Sequence, residues 1–190
     1  MKNKPTFILF ILFILPILSD LWVLSSSLNA AVQSGDERKR IYIFAGGGYA
    51  LLRIQGVEAE IGGEVELFHQ LFARVIVDYT TDSGGARDGE DIEYVFGINL
   101  QGVYKIPLSD TALFRLSVGG HYSMYKASVT AFGVTYSTSE SYYGVGGGLG
   151  FERQLGNHFS FYAGAEGRYL MSDPPKTWIK LSGGLSYRIK

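Results

Sequence analysis

Residues Ile92–Tyr104 read IEYVFGINLQGVY and alternate between two kinds of side chain. Apolar and aromatic residues fill one set of alternating positions, with Tyr94 and Tyr104 near its two ends, whereas Glu93 and Asn99 stand in the other set. Successive side chains of a β-strand point to opposite faces, so a period of two predicts a strand with one apolar and one polar face.

The same period recurs along the chain and predicts eight strands. The predicted strands cover residues 41–51, 57–68, 71–80, 92–105, 112–126, 140–153, 159–170 and 176–189. Turn-forming residues separate most of them, and none of the five prolines falls inside a strand. The pattern predicts an all-β fold, a closed antiparallel up-and-down transmembrane β-barrel of eight strands.

The connections between the predicted strands differ in length. Short turns follow the second, fourth and sixth strands, while longer loops, at about 81–91 and 127–139, follow the third and fifth. Short inner turns and longer outer loops are typical of outer-membrane barrels. The 127–139 loop is rich in β-forming residues, which favours an extension of the strands whose edge pairs with a partner strand.

The N-terminus has the order of a secretory signal peptide. Lys2 and Lys4 precede an apolar run from Phe7 to Leu18, and small residues follow as far as Ala31. We predict a signal peptide at 1–31, a lead-in at 32–40 and the barrel at 41–190. The alternative is an uncleaved anchor, because residues 5–24 have about the 20 residues of a spanning helix.

The composition excludes several classes of function. The net charge of -1 gives no electrostatic case for nucleic-acid binding, and the absence of cysteine excludes disulfides, thiolate metal sites and cysteine nucleophiles. The three histidines are scattered, and the acidic residues of the 81–91 loop are interpreted as solvated rather than as a Ca²⁺ site. We expect no metal and no cofactor.

The apolar face carries aromatic residues at two levels. One level comprises Tyr79, Tyr94, Tyr122, Tyr143 and Tyr169, and the other comprises Tyr104, Phe114, Phe151, Phe159 and Tyr187. The levels are 8 to 10 residues apart along the strands that carry both, close to the roughly 9–11 residues of a tilted membrane strand. Aromatic girdles favour the two membrane interfaces, so we predict that this face contacts outer-membrane lipid. A soluble periplasmic ligand-binding barrel is the alternative.

The polar face carries charges of both signs. Eight strands leave an interior that side chains just fill, and buried charges must then be paired. We therefore predict a plugged interior with an ion-pair network, the alternative being a narrow channel for ions or small solutes. The predicted network comprises Glu64, Glu66, Arg74, Asp78, Glu93, Arg115, Glu152, Glu166, Arg168, Lys180 and Arg188.

The segments from about residue 40 onward resemble the small outer-membrane β-barrels of the opacity-protein and OmpX-like kind. The resemblance rests on Tyr143–Phe151, on the rhythm of strands and turns, and on the C-terminal ending. That ending is similar to the signal read by the barrel-assembly machinery, although Lys190 replaces a final aromatic residue. Its residues are Ser182, Gly184, Tyr187 and Ile189. The resemblance implies an outer-membrane location and a structural or surface-interaction role, with an extracellular protein or surface ligand as a partner at the loops.

One constellation favours an enzymatic alternative. His121 and Ser123 share a face of one strand, and Glu140 or Glu152 is a candidate to orient the histidine for acyl transfer. The pair resembles the His-x-Ser of outer-membrane lipid A deacylases, but Met124 follows where that family has asparagine. The alternation also directs His121 inward, away from lipid. We therefore expect no catalytic residues and no enzyme.

Overall fold

The structure is a computed structural model that describes residues 39–52, 55–82, 91–131, 134–172 and 176–189. The predicted signal peptide and most of the predicted lead-in lie outside the described residues. The strands are β1 (Ile41–Leu52), β2 (Gly56–Phe68), β3 (Leu71–Asp82), β4 (Asp91–Pro107), β5 (Ala112–Ala131), β6 (Val134–Gln154), β7 (Phe159–Leu170) and β8 (Lys176–Arg188). Within those ranges, no helix is long and apolar enough to span a membrane.

Each strand pairs antiparallel with the next, and β1 pairs with β8 to close the barrel. The closing register runs from Tyr42 opposite Arg188 to Leu52 opposite Trp178. Because the barrel is closed, neither β1 nor β8 is left as a free edge of the sheet. The predicted fold class, an all-β closed antiparallel barrel of eight strands, is confirmed.

The two ends of the barrel differ. Strands β5 and β6 have 20 and 21 residues and stay paired as far as Ala131 opposite Val134. The predicted 127–139 loop is therefore a paired hairpin, in keeping with its β-forming residues. We call the end with this hairpin the outer end, and the end with the short β2–β3, β4–β5 and β6–β7 turns the inner end.

Apolar side chains occupy the interior at three levels. The outer apolar cluster comprises Ala50, Val95, Tyr125, Ala127, Leu170 and Trp178. Tyr42, Phe72 and Val103 pack together near the inner end, and Phe44, Ile76 and Tyr162 form a third cluster. The charged interior residues lie among these three apolar clusters.

Candidate functional site

The barrel interior holds most of the buried charge of the described chain. Inward positions alternate along every strand, so each wall contributes side chains to one enclosed space. The buried charged residues are Glu58, Glu60, Glu64, Arg74, Asp78, Lys105, Arg115, Glu152, Glu166, Arg168 and Lys180. Desolvation costs several kcal/mol for an ion that lacks a partner, so the pairing of these groups decides whether the arrangement is stable.

Four of them form the inner charge cluster, Glu64, Lys105, Arg115 and Glu152. Arg115 Nη2 lies 2.9 Å from Glu64 Oε2, and Lys105 Nζ lies 3.0 Å from Glu152 Oε2. Lys105 also contacts Glu64, and Arg115 Nη1 lies 3.6 Å from Glu152 Oε2. Two cations and two carboxylates therefore share all four possible pairings, and the formal charges of the cluster cancel.

Aromatic rings also contact the two cations of the inner charge cluster. Lys105 Nζ lies 4.5 Å from the ring centre of Tyr42 and 4.4 Å from that of Phe72. The Arg115 guanidinium lies 5.5 Å from the ring centre of Tyr162. Cation–π contacts of this kind replace part of the hydration that a buried cation has lost.

A second group, the outer charge cluster, comprises Glu58, Glu60, Asp78, Glu166, Arg168 and Lys180. Arg168 donates to Asp78 through Nη1 and Nη2, at 3.2 and 2.8 Å, and to Glu166 Oε1 through Nε at 2.8 Å. Asn99 Nδ2 donates a further hydrogen bond of 2.5 Å to Asp78 Oδ2. The carboxylate of Asp78 thus has three donors from two other strands.

Lys180 extends the outer charge cluster to β2. Its Nζ donates to Glu60 Oε2 at 2.5 Å and contacts Glu58, while the hydroxyl of Tyr162 donates to Glu60 Oε1 at 2.6 Å. Arg74 lies between the two charge clusters, with Nη2 3.9 Å from Glu60 Oε1. Its guanidinium also lies 4.1 Å from the ring centre of Phe44.

A small polar cavity of about 40 Å³ remains beside these groups. Glu60, Arg74, Arg115, Tyr162 and Ser117 are among the residues that line it. Its size suits a few water molecules, which would hydrogen-bond to the surrounding polar groups. The buried Nε of Arg74 has no hydrogen-bond partner among the described residues and is one such group.

Apart from Arg74, three residues of the predicted network lie outside the charge clusters. Glu93 is exposed and pairs with Lys126 at 2.8 Å, because a register shift between Ile92 and Tyr94 interrupts the alternation at the outer end of β4. Glu66 accepts hydrogen bonds from Arg40 Nε and Nη2, at 2.8 and 2.7 Å, at the inner rim.

Arg188 also lies at the inner rim, where it is half-buried. Its Nη2 donates to the backbone carbonyl of Asn157 rather than to a carboxylate. The predicted network also omitted Lys105, which the structure places beside two carboxylates. The signal for Lys105 was its position on the inward-facing side of β4, two residues after the buried Val103.

The histidine–serine pair does not form a catalytic triad. His121 and Ser123 are buried inside the barrel, and the ring of His121 packs 5.9 Å from Trp178. Glu140 is the cross-strand partner of Tyr125 on β5. Tyr125 lies four residues beyond His121, which is about 13 Å along that strand. Glu140 accepts a hydrogen bond of 2.9 Å from the Tyr125 hydroxyl.

Glu152, the other candidate partner of His121, belongs to the inner charge cluster. Among the residues that the structure describes, no group of histidine and acidic side chains is arranged to hold a metal ion. The acidic stretch at 83–90 lies outside the described residues.

The predicted girdle residues all lie on the outward-facing surface. Several pack in pairs between neighbouring strands, with ring centres 5.7 Å apart for Tyr79–Tyr94 and 5.1 Å for Tyr122–Tyr143 at the outer level. The inner level includes the opposed residues Phe114 and Phe151 and the pair Phe159–Tyr187, at 5.0 Å. With about 3.4 Å per residue and a tilt of about 40°, the two levels are about 21–26 Å apart. This agrees with the apolar band of about 25 Å in membrane barrels.

The C-terminal residues divide between the two faces of β8. Ser182 and Gly184 share the inward-facing side with buried Lys180 and Ser186, whereas Tyr187 and Ile189 are exposed on the outside. Tyr187 packs against Phe159 and also stacks on the ring of His158 at 5.6 Å. The predicted assembly signal therefore alternates between the barrel interior and the outward-facing surface.

No family model matches the chain, and no curated protein matches it significantly. Solved structures do match. A major outer membrane protein from Thermus thermophilus is similar with a TM-score of 0.61 and 16% identity, over 80% of this chain and 100% of that chain. Neisserial surface protein A is similar with a TM-score of 0.57 and 16% identity, over 81% and 99%.

The attachment invasion locus protein Ail of Yersinia pestis, solved with the heparin analogue sucrose octasulfate, is also similar. Its TM-score is 0.52 and its identity 15%, over 80% of this chain and 97% of that chain. At this level of identity, the similarity shows that the chain shares the fold of these neighbours. The resemblance inferred from the sequence is confirmed at the level of fold: this chain has the fold of the small eight-stranded transmembrane β-barrels of the bacterial outer membrane.

Proposed function

We propose that this protein is an outer-membrane barrel with a closed interior and that its role is surface interaction through the β5–β6 hairpin. The observation that carries the proposal is the contrast between the two ends. From Tyr143 to Val134, β6 continues for nine residues past the outer girdle, about 30 Å of strand. From Phe151 to the end of β6 at Gln154 there are only three residues.

The interior supports closure rather than transport. Arg74 pairs with Glu60 of the outer charge cluster and is the cross-strand neighbour of Glu64 of the inner one, and apolar clusters lie near both ends of the barrel. A permeating ion would have to displace side chains whose charges are already paired, at a cost of several kcal/mol for each group left unpaired. We therefore propose that the interior is plugged and that its charges stabilise the closed barrel.

The hairpin supports the surface role. The register of β6 with β7 begins at Gly144, whereas its register with β5 runs on to Val134, so this part of β6 lies beyond its neighbour β7. The residues from Thr135 to Ser141 are exposed, as is most of the side chain of Tyr136. An extended peptide of a partner protein can add to such a strand through main-chain hydrogen bonds. Membrane insertion by the barrel-assembly machinery is part of the proposal.

Single-cysteine variants test the display of the hairpin cleanly, because the protein has no cysteine of its own. Tyr136→Cys should react with a membrane-impermeant maleimide on intact cells, whereas Leu155→Cys at an inner turn should react only after lysis. Equal labelling of both variants before lysis would contradict the proposed orientation.

Two further measurements test the closed interior and the surface role. Reconstituted protein should give no stepwise conductance in planar bilayers, and regular single-channel steps would favour the channel alternative. Replacing residues 128–137 by Asn-Gly should abolish adhesion of protein-displaying cells to heparin- or matrix-protein-coated surfaces without loss of the heat-modifiable folded band. Adhesion that is retained, or that is absent from cells with the intact hairpin, would contradict the surface role on these probes.

A further inference from the structure

The inner turns carry exposed apolar side chains beyond the inner girdle. Leu67 and Phe68 at the β2–β3 turn are 43% and 72% exposed, Leu108 at the β4–β5 turn is 60% exposed and Leu155 at the β6–β7 turn is 60% exposed. Such residues are costly in water and favourable in the interfacial region of a membrane. The lipid-facing surface therefore continues as far as the inner turns.

Arg153 lies on this surface at the end of β6. Its position alternates with buried Glu152 and follows the exposed girdle residue Phe151 by two, so it belongs to the outward-facing side. Phe161 of β7 and Ala112 of β5 are its cross-strand neighbours. Arg153 is thus an exposed cation surrounded mainly by apolar and aromatic residues.

Arg153 differs from the outward-facing cation at the other end of the barrel. Lys126 pairs with Glu93 at 2.8 Å, whereas no carboxylate of the described chain lies within ion-pair distance of Arg153. The segment is held in place by the backbone, since Gln154 N donates to Thr111 O at 2.8 Å and Leu155 N donates to Phe159 O at 2.8 Å. A fixed backbone keeps the Cα atom of Arg153 at one depth.

That depth corresponds to the lipid headgroups. Two residues beyond Phe151 correspond to about 7 Å of strand and, with a tilt of about 40°, to about 5 Å along the membrane normal. The headgroup region outside each surface of the hydrocarbon core is about 5–8 Å thick. An arginine at this level extends its apolar stem along the barrel wall and its guanidinium into the phosphate layer.

We propose that Arg153 forms a binding site for the phosphate of an inner-leaflet phospholipid, with Phe151 and Phe161 contacting the adjoining acyl chain. The guanidinium donates two hydrogen bonds to phosphate oxygens, a geometry that a planar fork matches and an ammonium does not. The inference rests on the proposed membrane location and adds a lipid partner at a defined position.

The test uses the full-length folded protein in phosphatidylcholine vesicles with and without phosphatidylglycerol. Anionic lipid should raise the temperature at which the compact band of the wild-type protein is lost on cold gels. Arg153→Gln should lose most of this shift, and Arg153→Lys should keep part of it. Lys126→Gln, the matched control at the outer end, should keep all of it.

Native mass spectrometry of the detergent-solubilised protein provides the second readout. Arg153→Gln should bind phosphatidylglycerol about fivefold more weakly than wild type, in line with about 1 kcal/mol for one basic residue at an anionic surface. Equal lipid binding by wild type and Arg153→Gln would overturn the site. Failure of the wild-type protein to insert into either vesicle would instead overturn the membrane location itself.

Discussion

Arg168 of β7 donates hydrogen bonds to both carboxylate oxygens of Asp78 on β3, at 3.2 and 2.8 Å, across the full width of the barrel. The two strands are four apart in a ring of eight and therefore belong to opposite walls. Both side chains are almost completely buried. The pair consequently connects two strands that share no backbone hydrogen bond.

Removal of one partner should be far more costly than removal of both. Asp78→Ala removes two of the three hydrogen bonds that the buried Arg168 donates to carboxylates and leaves Glu166 as its remaining partner, so it should lower the free energy of unfolding by up to about 3–5 kcal/mol. The double variant Asp78→Ala with Arg168→Met should regain part of that loss. Urea unfolding in lipid vesicles measures both, and a double variant no more stable than the single one would contradict a specific pairing.

Gly97 should prove intolerant of a side chain because of the same pair. A Cβ atom at this position would overlap the Asp78 carboxylate, so Gly97→Ala must displace the acceptor of Arg168. We expect a loss of about 1–3 kcal/mol, typical of an overpacked interior. In the Asp78→Ala background the loss should largely disappear, because the group that clashes is gone; a fully additive loss would refute this coupling.

The Arg40–Glu66 pair at the inner rim should make stability depend on acid pH. Hydrogen bonds from Arg40 hold the pKa of Glu66 below its ordinary value. The stabilisation is therefore complete above the unfolded-state pKa of about 4.3 and is lost as the pH falls through the lower folded-state pKa. For a partly exposed pair it should amount to about 1 kcal/mol or less.

The comparison with Glu66→Gln isolates this contribution. Wild type should be more stable than the variant at pH 7, and the two should converge in strong acid. Unfolding curves at both pH values measure the difference. A difference that persists unchanged at low pH would show that the carboxylate charge of Glu66 is not its source.

Cells that produce this protein should contain unmodified lipid A. His121 and Ser123 are enclosed in the barrel and Glu140 bonds to Tyr125, so the three groups cannot act together on a lipid outside. Mass spectra of lipid A from cells with wild-type protein and with Ser123→Ala should therefore be identical. Loss of an acyl chain in the wild-type cells alone would restore the enzymatic alternative.

The sequence predicted the outward-facing surface better than the interior contacts. Period-two alternation assigns a face to each residue, which placed Tyr122 and Tyr143 on the outside without any knowledge of register. It fails where a bulge adds a residue, and Glu93 lies at such a point. Lys105 was omitted, although the alternation of β4 puts it on the inward-facing side with Val103.

The partners within the interior ion pairs could not be predicted from the alternation, because they depend on the geometry of the closed barrel. Arg168 reaches Asp78 and not another carboxylate because barrel closure determines which walls face each other and at what height. The alternation of apolar and polar residues specifies neither which walls face each other nor the height of a side chain in the barrel. The hairpin at 127–139 was foreseeable from its β-forming residues, whereas its length as a paired element depended on the β5–β6 register.

The position of Lys180 makes the stability of the barrel depend on the register in which β8 pairs with β1. Lys180 is on the last strand, and its partners Glu58 and Glu60 are on the second. If β8 joined β1 two residues out of register, its apolar face would still point outward, but Lys180 would move by about 7 Å along the strand. Such a shift leaves the pattern of apolar and polar faces unchanged. It would, however, separate the ammonium of Lys180 from Glu58 and Glu60 and so destabilise the barrel. The charged residues of the interior thereby favour one β1–β8 register among several that place the same apolar face against lipid.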